Sequence, residues 1–180
     1  MKIQIENRST GNVIFEHDED ENSMIKTIME AIKQGADLSY ADLRYADLSY
    51  ADLSSANLRN ADLRNADNIP FVPLACPSDG EFTAWKKVCN CLVELYIPDT
   101  ARRSSATTNK CRCDKAKVIS ITDLRTGESV EKVTNNKYAP TIYEVGCWVT
   151  PDSFDENRWN ECSNGIHFFI NKQEAINYTI

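Results

Sequence analysis

The segment from Ala101 to Lys117 carries residue types that are suited to binding an anion. Its sequence, ARRSSATTNKCRCDKAK, holds six basic residues and one acidic residue, Asp114, in a chain whose net charge is −7. Guanidinium groups bind oxyanions through paired hydrogen bonds, and Ser or Thr hydroxyls donate single ones. The sequence therefore predicts a basic loop over 102–117 that captures an anionic small molecule or an acidic surface of a host protein. The predicted binding residues in this segment are Arg102, Arg103, Ser104, Ser105, Lys110, Arg112 and Lys115.

The ligand class of this basic loop stays open at the level of sequence. The chain contains no glycine-rich phosphate loop and no dinucleotide-binding fingerprint. The same charges would also suit an exposed loop that docks on the first 68 residues, which carry seven basic and thirteen acidic residues. We expect a nucleotide-like ligand or an acidic protein surface, and no bound cofactor.

His167 is the second candidate for chemistry, and the chain has only one other histidine, His17. The segment Gly165–Phe168, followed by Ala175, Asn177 and Tyr178, resembles the strand-and-helix signature of poly-ADP-ribose polymerases. That resemblance implies a position beside the nicotinamide end of NAD, although neither the catalytic glutamate nor the His-Gly start of that family is visible. We therefore add His167 to the binding residues and expect a non-enzymatic protein. One alternative is an enzyme that acts on a nucleotide or on NAD. The other is that His167 has a purely structural role.

All seven cysteines lie beyond the repeat, between Cys76 and Cys162. Cys89-Asn90-Cys91 and Cys111-Arg112-Cys113 could bring four thiolates to one zinc ion. Spacing by a single residue equally fits strands, where residues i and i+2 share a face, so that both pairs would belong to a buried face. We predict structural thiols and no metal, with zinc as the alternative.

The first segment, residues 1–35, reads as a β-hairpin followed by a helix. KIQIENR and VIFEH alternate like strands around the turn sequence STGN. Ser23 is placed to cap a helix over MIKTIMEAIKQ, whose apolar residues recur at helical spacing, and Gly35 suits the C-terminal end. This segment is predicted to cap the one that follows.

The second segment, residues 36–68, repeats every five residues, with Ala in the first place and Leu in the third place of six full units. It resembles the pentapeptide-repeat family through motifs such as Ala36-Asp37-Leu38 and Ala41-Asp42-Leu43. The resemblance implies a right-handed, four-sided β-solenoid with twenty residues per coil, Leu on its axis and Ala beside it. Six units make one and a half coils, and the resemblance stacks Asp42 over Asp62 as like charges on the exposed surface.

So short a repeat cannot be stable alone, because a solenoid buries its core only between neighbouring coils. We therefore expect its ends to be covered by the helix, the C-terminal domain or a second copy. The last of these leads us to expect a homo-oligomer. Some long pentapeptide solenoids imitate duplex DNA. At roughly one strand spacing per coil this one is too short to imitate even one turn of duplex, about 34 Å. A DNA mimic or an assembly module remains an alternative function of the repeat.

The third segment, residues 69–180, has the alternating strand pattern of a mainly antiparallel α+β domain. Strands are expected in KKVCNCLVELYIP, KAKVISITDL, ESVEKVTN, TIYEVGCWV and GIHFFI, with RTG joining the second and third of these as a hairpin. Asn171 and Glu174 have the spacing of a capping box for a final short helix. The predicted fold class of the whole chain is α+β.

Composition and charge exclude several classes of protein. No apolar run reaches the ~18 residues of a membrane span, and the N-terminus lacks the apolar core of a secretory signal. The acidic balance argues against general nucleic-acid binding. We expect a cytoplasmic protein. Taken whole, the chain is similar to a family of phage and prophage proteins with an uncharacterised C-terminal domain, which implies a setting in the host cytoplasm and a counter-defence role.

Overall fold

The computed structural model of the chain describes residues 1–136 and 140–179. The chain forms two compact units, Met1–Pro73 and Leu74–Ile180. Antiparallel sheets dominate and two helices are described, so the predicted α+β class is confirmed. Within the described ranges, no helix has the length and apolar character needed to cross a bilayer. The division into 1–35, 36–68 and 69–180 stays a prediction.

The first unit begins with the predicted hairpin and helix. Strands β1 (Lys2–Glu6) and β2 (Val13–Asp18) pair antiparallel. Helix α1 (Met24–Lys33) starts where the Ser23 hydroxyl accepts a hydrogen bond from the Lys26 amide, and Gly35 follows it with φ +71°. The face of α1 that includes Ile28 and Ala31 is fully buried. The prediction of a hairpin and a Ser23-capped helix is confirmed.

The repeat folds as a series of tight turns with Leu inside. All six Leu residues in the third place are at most 9 % exposed. In each full unit the carboxylate or amide oxygen of the second residue accepts a hydrogen bond from the amide two residues later, as Asp47 does from Ser49 at 3.0 Å. The amide of the next unit's Ala then donates to the Leu carbonyl, as Ala51 does to Leu48 at 3.0 Å. Each unit thus carries its own turn, which explains why the sequence period is so strict.

Residues twenty apart pair across the repeat. Isolated parallel bridges join Asp42 to Asp62 and Asp47 to Asp67. Asp62 is only 5 % exposed, contrary to the expectation that these carboxylates would lie on the surface. The like charges are compatible because Arg44 binds Asp42 and Arg64 binds Asp62, each with one N–O distance of 2.6 Å.

The hairpin covers the first edge of the repeat. Asn7 bridges Ala41, and the Asp42 amide donates to the Glu6 carbonyl at 2.8 Å. The helix end is joined through the Ala36 amide, which donates to the Ala31 carbonyl at 2.9 Å. One open edge is therefore closed inside the unit, by the segment that the sequence assigned to this role.

The second unit contains three sheets and a short helix. A four-stranded antiparallel sheet has the order β10-β7-β4-β3, a three-stranded sheet has the order β11-β6-β5, and β8 pairs with β9. The bounds are β3 Phe82–Val88, β4 Cys91–Ile97, β5 Arg103–Ser105, β6 Cys111–Cys113, β7 Ala116–Asp123, β8 Lys132–Asn135, β9 Thr141–Glu144, β10 Trp148–Val149, β11 Ile166–Phe168 and α2 Lys172–Asn177. Buried residues from most of these strands share one apolar core. Asn171 caps α2 through the amides of Gln173 and Glu174, which confirms the predicted helix start.

Three sequence expectations for this unit are wrong in detail. The run KKVCNCLVELYIP is a hairpin, because Cys89 takes φ +53° and reverses the chain between β3 and β4. The chain does fold back at RTG, but only one bridge, Thr122 to Ser129, joins the two sides, and β8 pairs with β9 instead. TIYEVGCWV contains two strands in different sheets, separated at Gly146, whose φ is +81°.

Candidate anion-binding site

The basic segment 102–117 forms two strands of the three-stranded sheet, and this corrects the expectation of an exposed loop. Register pairs Ser104 of β5 with Arg112 of β6, and Arg112 with His167 of β11. Directly opposed residues share a face, so Ser104, Arg112 and His167 form one row across the sheet, called the polar row below. On the opposite face, Cys111, Cys113, Ile166 and Phe168 belong to the apolar core, and Arg103 and Ser105 of β5 lie opposite Cys113 and Cys111. Strand alternation thus separates Arg112 from the buried thiols on either side of it in β6.

Arg112 is the centre of the polar row and is only 2 % exposed. Its guanidinium donates to three main-chain carbonyls, those of Asp155 at 2.5 Å, Asn157 at 2.7 Å and Asn164 at 3.0 Å. These acceptors belong to the irregular segment 153–164 between β10 and β11, called the strap below. Burial lowers the pKa of Arg112, because its described partners are neutral carbonyls.

The strap returns to the sheet at Gly165, against Arg112. Gly165 has φ +145°, and a Cβ added there would lie 3.2 Å from the Arg112 Cβ. Only glycine adopts this backbone region without strain, so the close approach of the strap to Arg112 requires it.

Lys110 lies beside the polar row, with 8 % of its surface exposed. Its ammonium nitrogen Nζ is 3.1 Å from Cys162 Sγ and 4.0 Å from Glu161 Oε2, both in the strap. The Thr108 hydroxyl also contacts the Glu161 carboxylate. The hydrogen bond with Cys162 and the charge of Glu161 raise the pKa of Lys110 against the opposing effect of burial. Lys110 is therefore a buried cation at neutral pH.

Lys86 reaches the same place from β3. Its Nζ donates to the His167 carbonyl at 3.1 Å and lies 5.9 Å from the centroid of the Tyr143 ring. Burial lowers the pKa of Lys86 to about 8, so that it is still mainly charged at pH 7. The strand pattern TAWKKV could have revealed it, since Lys86 shares a face with Ala84 and Val88, both buried.

His167 is half-buried between these cations. Its Nε2 donates to the Glu161 carbonyl at 3.1 Å. Burial, followed by the charges of Lys86 and Lys110, lowers the pKa of His167 to about 4. His167 is therefore neutral at pH 7, chiefly because it is shielded from water and in part because the neighbouring charges are positive.

Lys86, Lys110 and Arg112 together form a cationic cluster around His167. Among residues 1–136 and 140–179, only one carboxylate lies within 4.0 Å of any of these three cations. It belongs to Glu161 and lies 4.0 Å from Lys110. The Ser104 hydroxyl, 3 % exposed at the end of the polar row, has no hydrogen-bond partner among the residues that the structure describes. The site therefore holds an excess of buried positive charge together with one unused donor.

The other predicted binding residues lie elsewhere, and three of them, Arg102, Arg103 and Ser105, have their own partners. Arg102 is exposed and pairs with Asp114 at 2.9 Å and Glu156 at 2.7 Å. The Arg103 guanidinium donates to the carbonyls of Pro77, Gly80 and Pro98 and stacks 4.9 Å from the Phe82 ring centroid. The Ser105 hydroxyl accepts from the Ala75 amide at 2.8 Å, and Lys115 is half-buried. Of the eight predicted residues, the structure brings together Ser104, Lys110, Arg112 and His167.

Two family models match the chain, one over its C-terminal part and one over the repeat. Residues 72–175, more than half of the 180 residues, match the model described as "Family of unknown function (DUF5758)". The chain belongs to the DUF5758 family. Residues 34–67 match "Pentapeptide repeats (8 copies)", which confirms the resemblance seen in the sequence. No curated protein and no solved structure matches the chain.

The DUF5758 region includes the whole polar row, the strap and the four cysteines considered for zinc. Cys89 lies exposed in the β3–β4 turn, whereas Cys111 and Cys113 are fully buried. Burial raises the pKa of Cys113 to about 12, so it stays a thiol. Within the described part of the chain, no three His, Cys, Asp or Glu residues are grouped so that they could hold a metal ion.

Proposed function

We propose that the DUF5758 region is an anion-binding domain whose ligand is attracted by the cationic cluster around His167. The observation that carries this proposal is the charge of the site: Lys110 and Arg112 are buried, Lys86 is half-buried, and among the described residues only the Glu161 carboxylate, 4.0 Å from Lys110, lies within 4.0 Å of these cations. Burying cations without matching anions is costly. A phosphate or carboxylate group placed among them would supply the missing charge.

The donors available suit a nucleotide-like ligand or an acidic protein side chain. Lys110 and Lys86 would act as compact point charges, and the Ser104 hydroxyl has an unused donor in the same row. Arg112 is already bound by the carbonyls of the strap, so an anion that took their place would have to displace this segment. The charge of the site therefore indicates the class of ligand. Access of a ligand to Arg112 depends on the strap, residues 153–164.

The other parts of the proposed function concern the repeat and the setting. We propose that the repeat is a right-handed four-sided solenoid of about one and a half coils, and the two parallel bridges between residues twenty apart support it. Its role would be to organise the chain or a homo-oligomer rather than to imitate DNA. Phage origin, a counter-defence role and a host protein as partner rest on sequence resemblance alone.

Substitution of Lys86 tests the anion proposal. We expect Lys86→Met, which keeps the length of the side chain and removes its charge, to weaken anion binding at least tenfold. The probes are inorganic phosphate, ADP, NAD and a tetraglutamate peptide, each titrated into the full chain by isothermal titration calorimetry at pH 7. The wild-type chain should bind at least one of them in one-to-one stoichiometry.

The matched control is the neighbouring residue. Lys87 also donates to a carbonyl, that of Ile176 at 2.9 Å, but it lies on the other face of β3. Lys87→Met should bind the same probe within twofold of wild type. The pH gives a second readout, because raising it from 7 to 9 passes the pKa of Lys86 near 8 and should weaken binding. Equal affinity of the two variants, or no heat with any probe, contradicts the proposal, and turnover of a nucleotide would favour an enzyme.

A further inference from the structure

Three tyrosines occupy the last place of three successive repeat units and are exposed. Tyr40, Tyr45 and Tyr50 are 45 %, 71 % and 103 % exposed. Their φ angles are 59°, 61° and 64°, in the left-handed region. Large side chains rarely adopt this conformation, because it brings Cβ too close to the neighbouring carbonyl oxygen.

The fold itself does not require tyrosine at these positions. Asn60 and Asn65 occupy the equivalent places one coil later and have φ 61° and 57°. Asparagine tolerates the left-handed region because its short side chain bonds locally. The tyrosines therefore carry a conformational cost without contributing to the Leu-lined interior, and a role at the surface accounts for them.

The carboxylate between Tyr45 and Tyr50 differs from the one between Tyr40 and Tyr45 in whether a basic side chain neutralises it. Between Tyr40 and Tyr45, Asp42 is bound by two nitrogens of Arg44, at 2.8 Å and 2.6 Å. Between Tyr45 and Tyr50, Asp47 accepts hydrogen bonds from Ser49 and Asn68, and no basic group of the described residues lies within 4.0 Å of it. Asp52, just after Tyr50, accepts from Ser54 and likewise has no basic partner in the described part of the chain.

We propose that Tyr45, Asp47, Tyr50 and Asp52 form a docking surface for an arginine-bearing segment of a partner protein. A guanidinium group fits both the carboxylates and the tyrosine rings of this surface, because it binds a carboxylate through two hydrogen bonds and stacks on an aromatic ring. The chain itself shows each contact, in Arg44 on Asp42 and in Arg158 at 4.7 Å from the Trp159 ring centroid. The surrounding residues 1–68, with seven basic and thirteen acidic residues, attract such a segment.

This surface lies in the repeat and is independent of the anion-binding proposal. The test uses the full chain and a fluorescein-labelled (Gly-Arg)4 peptide, followed by fluorescence anisotropy at low and at physiological salt. We expect saturable binding that weakens at least tenfold in the double variant Tyr45→Asn/Tyr50→Asn. Because asparagine relieves the left-handed strain, that variant should melt at the same temperature as wild type or higher, so lost binding cannot be attributed to unfolding.

Tyr40→Asn is the matched control, since it relieves the same strain beside a carboxylate that Arg44 already neutralises. It should bind the peptide within twofold of wild type, and a (Gly-Lys)4 peptide should bind wild type at least threefold more weakly than (Gly-Arg)4. Equal loss in Tyr40→Asn and in the double variant overturns the proposal, as does equal affinity for the Lys and Arg peptides. A dimer of the wild-type chain that Tyr50→Asn dissociates would make a second copy the occupant and also overturns it.

Discussion

Replacing Arg112 by Met is expected to lower the free energy of unfolding of the C-terminal unit by about 3 kcal/mol. The substitution leaves the carbonyls of Asp155, Asn157 and Asn164 without their donor, and each of them that stays shielded from water costs about 1–3 kcal/mol. Removing a desolvated charge offsets part of this loss, which is why the sum is smaller than three full penalties. Urea unfolding followed by tryptophan fluorescence measures it, since all three tryptophans lie between residues 85 and 159.

Arg102→Met is the control for this prediction. Arg102 makes two ion pairs, with Asp114 and Glu156, but its side chain is 57 % exposed, and exposed pairs contribute at most about 1 kcal/mol. A larger loss in Arg102→Met than in Arg112→Met would mean that the strap is held by surface charges and not by the polar row. Arg112→Lys should fall between the two, because an ammonium cannot fork to three carbonyls.

The first unit follows closely from its sequence because its determinants are local. Ser23 caps the helix through an amide three residues away, and each pentapeptide closes its own turn. Interactions of this kind depend on neighbours in the chain, so a residue pattern is enough to predict them. What the pattern did not predict is the neutralisation of Asp62 by Arg64, which lets a carboxylate lie buried on the repeat.

The candidate site could be predicted only in part, because it depends on strand register and on pairing between distant segments. The basic composition of 102–117 correctly drew attention to Lys110 and Arg112. It could not show that β6 pairs with β11, 53 residues further along between Cys113 and Ile166, or that the strap covers Arg112. Charge counted along a sequence treats every cation as exposed, whereas the strap covers Arg112 on β6 and Arg102, which precedes β5, lies on the surface.

Cys89 shows the same limit for the thiols. A run of apolar residues through KKVCNCLVELYIP favours one long strand, and only a left-handed conformation at Cys89 breaks it. Nothing in the residue type announces this turn, since cysteine is not a common turn residue. The expectation that Cys89 and Cys91 share a buried face depended on that strand, and it is wrong because Cys89 lies exposed in the turn and Cys91 is the first residue of β4.

The stability of the C-terminal unit should fall with pH between about 6.5 and 4 because of His167. The pKa of His167 is about 4 in the folded chain and near 6.5 when the residue is exposed. Between these values the unfolded chain holds a proton that the folded chain does not, so acid favours unfolding. The contribution is complete above pH 6.5 and decreases by at most about 1.4 kcal/mol per pH unit, or about 3 kcal/mol in total.

His167→Gln isolates this effect from the carboxylates that also titrate in acid. Gln can still donate to the Glu161 carbonyl but does not titrate, so its urea-unfolding free energy should be flatter than that of wild type between pH 6.5 and 4.5. His17→Gln lies in the other unit and should leave the tryptophan-detected curve unchanged. If His167→Gln and wild type decline in parallel, the pKa of His167 is not lowered in the folded chain. An anion bound there would stabilise the protonated ring, so a saturating probe should also flatten the wild-type curve, which connects this measurement to the anion proposal.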